Sequence, residues 1–215
     1  GVLSVDANAL HEALGGDGSA VLIGHDWGAA AAHGAAVLEP HRWRRVVTMA
    51  VPPGPVFVTA VLGNRAQLKR SWYMFFFQSP LADLVVPADD LAFIDMLWAD
   101  WSPGHDGRED TAHVKRALAT PANVTAALGY YRATLGDGFK DPLLDAAQAA
   151  TQGVPTQPML YLHGRTDGCV GIEVAEVAAA AVPDHVRVEF VDDAGHFLQV
   201  ERPTTVNRLV LDFLS

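Results

Sequence analysis

Five residues near the start of the chain have the pattern of a nucleophile at a sharp turn. The segment Gly24-His25-Asp26-Trp27-Gly28 follows a short apolar run and precedes an alanine-rich stretch. A strand that turns directly into a helix strains its central residue, which favours small residues two positions to either side. Gly24 and Gly28 have this spacing around Asp26, as in the small-x-nucleophile-x-small motif. The pattern indicates that Asp26 is a nucleophile. The alternative is an ordinary turn in which Asp26 caps the helix.

Two further polar residues follow predicted strands. Asp167 comes after the apolar run Met159 to Leu162, and His196 comes after the segment Val186 to Phe190. The carboxyl ends of parallel strands lie at one edge of a sheet, so both residues can meet Asp26 there. The order nucleophile, acid, histidine is the one that α/β-hydrolases use. His196 would then be a general base toward water, and Asp167 would orient the imidazole and stabilise its charged form.

A carboxylate nucleophile favours particular reactions. Asp26 would form an ester through its side chain, and water activated by His196 would attack the ester carbonyl carbon. This chemistry suits the opening of a strained ring or the displacement of a halide at saturated carbon. Alternatively, Asp167 is a turn residue before a glycine, and His196 is a structural loop histidine. Three separate strand ends supply the required residue types in the required order, which favours catalysis.

The elements that would position these residues alternate between strands and helices. The run through Ile23 has no polar alternation, which predicts a strand buried on both faces of a parallel sheet. The alternation from Val186 to Phe190 predicts an edge strand. Ser4 is expected to cap a first helix, and Pro203 is expected to start the last one. We predict an α/β fold, with a mostly parallel sheet flanked by helices, whose core comprises residues 1–55 and 142–215.

Residues 56–141 lack strand signals and predict a helical cap over the carboxyl edge of the sheet, where ligands of open α/β folds bind. The segment from Arg70 to Gln78 is dense in aromatic residues. Thr120-Pro121 has the capping hydroxyl and the proline of a helix start. Tyr73 and Tyr131 lie in this cap, where aromatic side chains often serve only as core.

Composition limits the classes of function. The 215 residues are 50% hydrophobic, enough for one domain with an insertion, and no run approaches the ~20 apolar residues of a membrane span. The net charge of -10 argues against a nucleic-acid partner. Lone Cys169 excludes an intramolecular disulfide and fits a reducing, cytoplasmic compartment. No histidine or cysteine pair has metal-site spacing, so we expect neither a metal nor a cofactor.

Six segments along nearly the whole chain carry a resemblance to a known family: GHDWGA, VVTMAVPPGPVF, SWYMFFFQSP, GYYRA, LHGRTDGCV and AGHFLQVERP. Together they resemble epoxide hydrolases of the α/β-hydrolase fold. The resemblance implies that Asp26 is the nucleophile and that Asp167 and His196 are the charge-orienting pair. It also implies that Tyr73 and Tyr131, rather than the neighbouring Tyr130, donate a proton to the epoxide oxygen. The reactants would be a small apolar epoxide and water.

The N-terminal part departs from the family pattern. In family members, several strands and a His-Gly-x-Pro loop precede the strand that leads to the nucleophile. That loop supplies one amide of the oxyanion hole. This chain starts at Gly1, one helix ahead of that strand, and without Met. His163-Gly164 is no substitute for that loop, because it leads into the segment that contains Asp167. We expect a fragment, or alternatively a truncated homologue. The backbone N–H of Trp27 would supply one oxyanion donor, and losing the other could cost about a hundredfold in rate.

Two other functions are alternatives. A haloalkane dehalogenase shares the Asp nucleophile and the following Trp27, and would need halide-binding groups, for which Trp72, Trp98 and Trp101 are available. A non-catalytic binding protein would keep the pocket without the chemistry. The two tyrosines favour epoxide opening, and the complete Asp–Asp–His set opposes the binding protein. The sequence leaves open whether the chain forms a homodimer.

Overall fold

A four-stranded parallel sheet lies at the centre of the computed structural model, which describes residues 1–215. The strands, in spatial and sequence order, are β1 (Ala20–His25), β2 (Trp43–Met49), β3 (Met159–Gly164) and β4 (Val186–Val191). All three neighbouring pairs are parallel. The α/β prediction is therefore confirmed.

Helices pack on both faces of the sheet. They are α1 (Val2–Ala13), α2 (Trp27–Leu38), α11 (Ile172–Ala181), α12 (Leu198–Glu201) and α13 (Pro203–Leu214). Side chains of β3 alternate between two cores, as the two-residue period of a strand requires. Met159 and Tyr161 join the core under α2 and α11, whereas Leu160 and Leu162 join the core under α13. All six residues of β3 are buried, which agrees with its continuous apolar sequence.

β1 lies at one edge of the sheet, and the prediction that it is buried on both faces was wrong. Ile23 is 50% exposed, and within the strand only Gly24 is buried. The reason is that β2 is its one strand neighbour, so the other edge of β1 is not covered by a strand. β4 forms the opposite edge, as its alternating sequence predicts.

The predicted cap of α1 was also wrong. The helix begins after Gly1, so Ser4 lies inside it, where its buried hydroxyl has no hydrogen-bond partner. The buried face of α1 is polar because Asn8 bridges two elements. Its side chain accepts a hydrogen bond from Trp43 Nε1 at 2.9 Å and donates one to the Ala35 carbonyl at 3.2 Å. These bonds tie α1 to α2 and to the start of β2.

Only helices separate β2 from β3. They are α3 (Val56–Gly63), α4 (Arg65–Arg70), α5 (Trp72–Phe76), α6 (Ala82–Val85), α7 (Ala88–Trp101), α8 (Arg108–Ala117), α9 (Pro121–Leu135) and α10 (Asp145–Ala150). Thr120 caps α9, as predicted, by accepting a hydrogen bond from the Asn123 amide at 3.2 Å. No helix of the structure has the length and apolar character needed to cross a bilayer. The division between core and cap at residues 56 and 141 stays a prediction.

The helical region, residues 56–150, shares a hydrophobic core with the sheet domain. Tyr73, Phe77 and Leu128 pack in one cluster with Cys169 and Val170, which follow β3. The helices over the sheet are therefore packed onto the loop that follows β3. This contact brings aromatic side chains to the carboxyl edge.

Gly24 and Gly28 differ in what a side chain would meet. A Cβ on Gly24 would overlap the backbone carbonyl of Gly28, where α2 passes close to β1, whereas a Cβ on Gly28 would have no atom within 4 Å. The expectation that both positions need a small residue is thus correct only for Gly24.

We predict that Gly24→Ala lowers the free energy of unfolding by about 1–3 kcal/mol, because backbone must move to relieve the overlap. Gly28→Ala is the matched control, and we expect no loss, or a stabilisation of up to about 1 kcal/mol, because Ala favours helix. Denaturant unfolding of both variants measures the difference. Equal destabilisation by the two substitutions would contradict the conclusion that only position 24 requires glycine.

Candidate active site

Asp26 lies at the sharp turn between β1 and α2. Its backbone has φ 53° and ψ −119°, a left-handed conformation that costs a non-glycine residue about 1–3 kcal/mol. The turn is held from both sides. The Asp26 amide donates to the Met49 carbonyl at 3.2 Å, and the Asp26 carbonyl accepts from the Ala29 amide at 2.9 Å. The strand-to-helix elbow that the sequence predicts is therefore present, with Asp26 at its strained position.

The structure brings Asp26, His196 and Asp167 into one hydrogen-bonded chain. His196 Nε2 lies 3.1 Å from Asp26 Oδ1, and His196 Nδ1 lies 3.0 Å from Asp167 Oδ2. Asp167 belongs to the acid loop, residues 165–171. Its other oxygen accepts hydrogen bonds from the amides of Cys169 and Val170 at 2.8 and 2.9 Å. Both oxygens of Asp167 are thus satisfied, which fixes the imidazole between the two carboxylates.

The charges in this chain depend on one another. Burial alone would lower the pKa of His196, but the carboxylates of Asp167 and Asp26 outweigh burial and raise it to about 10. Burial alone would raise the pKa of Asp26, but the hydrogen bond and charge of His196 leave it below its usual value. The carboxylates therefore favour the protonated imidazole, and the imidazole in turn favours the ionised form of Asp26.

The two oxygens of Asp26 have different partners. Oδ1 contacts His196, whereas Oδ2 accepts a hydrogen bond from the Trp27 amide at 2.5 Å. The Trp27 N–H thus lies where the sequence places an oxyanion donor. Negative charge that develops on Oδ2 would be stabilised by this amide.

A cavity of about 560 Å³ opens above Asp26. Its wall includes Trp27, Tyr73 and Tyr131, and the two tyrosine rings lie 5.6 Å apart between centroids. Burial, supported by the charge of Asp26, raises the pKa of both phenols well above the ordinary value. Both tyrosines are therefore neutral and carry a proton. Tyr130 also reaches the cavity wall but is 43% exposed.

None of the tryptophans considered for halide binding lines the cavity above Asp26, although the Trp101 ring contacts those of His196 and Tyr73 at centroid distances of 5.3 and 5.0 Å. Trp72 packs against Phe76 and Phe93. Trp98 and Trp101 line a second, wholly apolar cavity of about 170 Å³ that shares Tyr131 with the first. Among the tryptophans, Trp27 alone lines the cavity above Asp26.

The sequence analysis did not identify several residues that fix the loops containing Asp167 and His196. The Trp101 carbonyl, at the end of α7, accepts hydrogen bonds from the amides of Gly168 and His196, both at 3.0 Å. Glu201 accepts from the amides of Gly195 and Phe197 at 2.7 and 3.0 Å. Backbone carbonyl contacts leave no residue signature, so Trp101 could not have been found. The carboxylate of Glu201, in the segment AGHFLQVERP, was the available signal.

His25, the residue before Asp26, joins β1 to the histidine loop, residues 192–197, which follows β4 and contains His196. Its Nε2 lies 2.8 Å from the His196 carbonyl oxygen. Burial lowers the pKa of His25, so the ring is neutral and donates this hydrogen bond. The strand before Asp26 is therefore connected to the backbone of His196, in addition to the bond between the Asp26 and His196 side chains.

Asp26, Cys169 and His196 offer ligand atoms within 4.8 Å of one another, which is compact enough to consider a metal. Both ring nitrogens of His196 already face carboxylates, however. Burial also raises the pKa of the Cys169 thiol well above its usual value, so it is not a thiolate. The arrangement suits proton transfer better than metal ligation.

Comparison with known proteins places this geometry in a family. Residues 2–203 match the model of the α/β hydrolase fold family. The human protein Epoxide hydrolase 4 is 27% identical over 91% of this chain and 53% of its own length. Epoxide hydrolase A of Mycobacterium tuberculosis is 27% identical over 99% of this chain and 74% of its own length.

A solved structure of an epoxide hydrolase from a metagenome of a hot environment aligns with 99% of this chain and 72% of its own. Its TM-score is 0.77 and its sequence is 27% identical. The chain spans about half the length of the human relative. With the parallel sheet, the elbow at Asp26 and the family match over nearly all of its residues, the chain belongs to the α/β hydrolase fold family.

Proposed function

We propose that this chain is an epoxide hydrolase, which opens an epoxide to a vicinal diol through an ester on Asp26. The observation that supports this most is the presence of two neutral phenols, Tyr73 and Tyr131, in the cavity above an ionised Asp26. Nucleophile and acids then act on opposite ends of one carbon–oxygen bond. The names of the relatives agree with this reaction.

In the first step, Asp26 Oδ1 attacks a ring carbon of the epoxide. Oδ2 keeps its hydrogen bond to the Trp27 amide and becomes the ester carbonyl oxygen. The carbon–oxygen bond of the ring breaks, and the ring oxygen takes a proton from Tyr73 or Tyr131. An alkoxide is a poor leaving group, so a positioned phenol stabilises the developing negative charge.

Formation of the ester removes the charge of Asp26 and prepares the second step. With one of its two carboxylates neutralised, the pKa of His196 falls from about 10. The phenolate recovers its proton from solvent as His196 releases its own. Neutral His196 then takes a proton from water, and the resulting hydroxide attacks the Asp26 carbonyl carbon. The Trp27 amide stabilises the oxyanion on Oδ2. The bond between the carbonyl carbon and the alkyl oxygen then breaks, and the leaving alkoxide takes the proton of the newly formed Asp26 carboxyl group. The diol leaves, and Asp26 is again a carboxylate beside protonated His196.

Measurement of diol from styrene oxide, beside bromide release from 1-bromobutane, separates this proposal from its rivals. Diol formation with no bromide release is the expected result. Bromide release without diol would assign a dehalogenase, and neither product from a folded chain would favour a binding protein.

We predict that His196→Ala accumulates the ester. Loss of a general base slows the second step by about 100-fold to 10,000-fold and leaves the attack of Asp26 possible. Intact-protein mass spectrometry after incubation with styrene oxide should show an added mass of one epoxide. The double variant His196→Ala, Asp26→Asn is the control and should stay unmodified. An adduct on the control would place the nucleophile elsewhere.

Removal of either phenol should slow ring opening. We expect Tyr73→Phe and Tyr131→Phe each to lower the rate of ester formation by about tenfold or more, and the double variant to lower it further. Tyr130→Phe is the matched control and should keep the parent rate, because this ring is on the cavity rim. Rapid-quench measurement of the ester gives these rates. If the Tyr130 variant alone is slow, the acid assignment is wrong.

The pKa of His196 should depend on the charge of Asp26. We predict an NMR-measured pKa of about 10 for His196 and a lower pKa in Asp26→Asn, where one carboxylate is lost. Because folding raises this pKa above 6.5, the stability that it contributes is complete below pH 6.5 and lost as the pH rises through about 10. An unchanged pKa in Asp26→Asn would contradict the coupling.

A further inference from the structure

Gln67 is a fully buried polar side chain of α4 that bonds to the acid loop. Its Nε2 donates to the Cys169 carbonyl at 2.9 Å, and its Oε1 accepts from the Gly171 amide at 2.9 Å. One amide group therefore bonds to the backbone on both sides of Val170, which lines the cavity above Asp26.

The same short stretch of chain carries Tyr73. Gln67 Nε2 also donates to Ser71 Oγ at 3.0 Å, and Ser71 immediately precedes α5, which contains Tyr73. The Tyr73 hydroxyl in turn lies 3.4 Å from Cys169 Sγ. Tyr73 thus contacts the side chain of the residue whose carbonyl Gln67 holds. Displacement of the loop at Cys169 would change the surroundings of the phenol directly.

The half of the acid loop that holds Asp167 has supports of its own. The amides of Thr166, Asp167 and Gly168 donate to backbone carbonyls outside the other half, those of Ala194, Gly164 and Trp101. The Asp167 carboxylate also accepts the amides of Cys169 and Val170, but its second oxygen is held by His196. Gln67 acts on the other half, from Cys169 to Gly171. Its loss should therefore disturb Tyr73 more than the Asp167–His196 pair.

We infer that Gln67 is a positioning residue that sets the place of Tyr73 opposite Asp26 by holding Cys169 and Gly171 against α4. This inference rests on the proposed epoxide opening, since Tyr73 matters for rate only if it donates a proton there. Gln67 touches no reacting atom and acts through Tyr73.

The test compares the two chemical steps in Gln67→Met, which keeps the length of the side chain and removes its three hydrogen bonds, to Ser71, Cys169 and Gly171. Rapid-quench kinetics with styrene oxide gives the rates of ester formation and ester hydrolysis. We expect ester formation to fall about tenfold or more, as small misplacements of a catalytic group do, and hydrolysis to change less than about threefold. Equal losses in both steps would show a merely structural role.

Arg70→Gln is the matched control. Arg70 pairs with Glu173 and so joins α4 to the segment after the acid loop, but the two side chains are 33% and 34% exposed. A partly exposed ion pair of this kind contributes little, so both rates should stay near those of the parent. A loss of ester formation in this variant as large as in Gln67→Met would overturn the specific role of Gln67.

A double variant with Tyr73→Phe tests the route of the effect. If Gln67 acts through the phenol, Gln67→Met should slow ester formation less than about twofold in the Tyr73→Phe background, because the affected proton donor is already absent. An undiminished, tenfold effect in that background would overturn the inference.

Failure of the two proposals can be told apart. A parent chain that forms neither ester nor diol overturns both, whereas an active parent with parent-like Gln67→Met kinetics overturns only the role of Gln67. If Gln67→Met does not fold, Gln67→Glu replaces it, since this carboxyl group can still accept from the Gly171 amide but loses the amide donor to Cys169. We then expect an intermediate loss of ester formation, and parent-like kinetics would contradict the inference.

Discussion

Two carboxylates share one imidazole inside this protein, and the rest of the site depends on that arrangement. An ionised carboxylate in a poorly hydrated site is costly unless a charge or hydrogen bonds compensate it. Protonated His196 compensates both Asp26 and Asp167, which is why its pKa is high although burial opposes it. The ester chemistry proposed for Asp26 would use this balance. Neutralisation of one carboxylate releases the proton and converts the imidazole from a counter-ion into a base.

The arrangement requires three segments from distant parts of the sequence to hold the side chains of Asp26 and Asp167 within hydrogen-bonding distance of His196. The strained turn at Asp26 is fixed by backbone bonds to β2 and α2. The acid and histidine loops are both fixed by the Trp101 carbonyl. Gln67 adds a second connection between the helical region and the acid loop. The helices over the sheet therefore take part in building the site as well as covering it.

The fold was largely predictable because its signals are strong and local. The apolar run of β3 and the Thr120 cap follow from hydrophobic patterning and capping chemistry, and the structure has them where they were predicted. β1 was misjudged because an apolar composition reports burial in general and cannot report which neighbour a strand has. Ser4 was misjudged because α1 begins at Val2, with Gly1 as its cap, so the serine lies within the helix.

The candidate site was predictable in its side chains and much less in its supports. Asp26, Asp167 and His196 follow strand ends, and topology brings them together. Trp101 and Gln67 act on or through backbone groups, which any residue type possesses, so their spacing carries no pattern. The sequence indicated only that Cys169, as the one cysteine, forms no intramolecular disulfide. In the structure its sulfur lies 3.4 Å from the Tyr73 hydroxyl.

Oxygen labelling tests the central claim, that the reaction passes through an ester on Asp26, most directly. A single turnover of styrene oxide in water enriched in oxygen-18 would be followed by mass analysis of the peptide that contains Asp26 and of the diol. Water attacks the ester carbonyl carbon, so the label is expected in the Asp26 carboxylate, with the diol unlabelled. Label in the diol and an unlabelled peptide would mean that water attacks the epoxide directly, and would contradict the account.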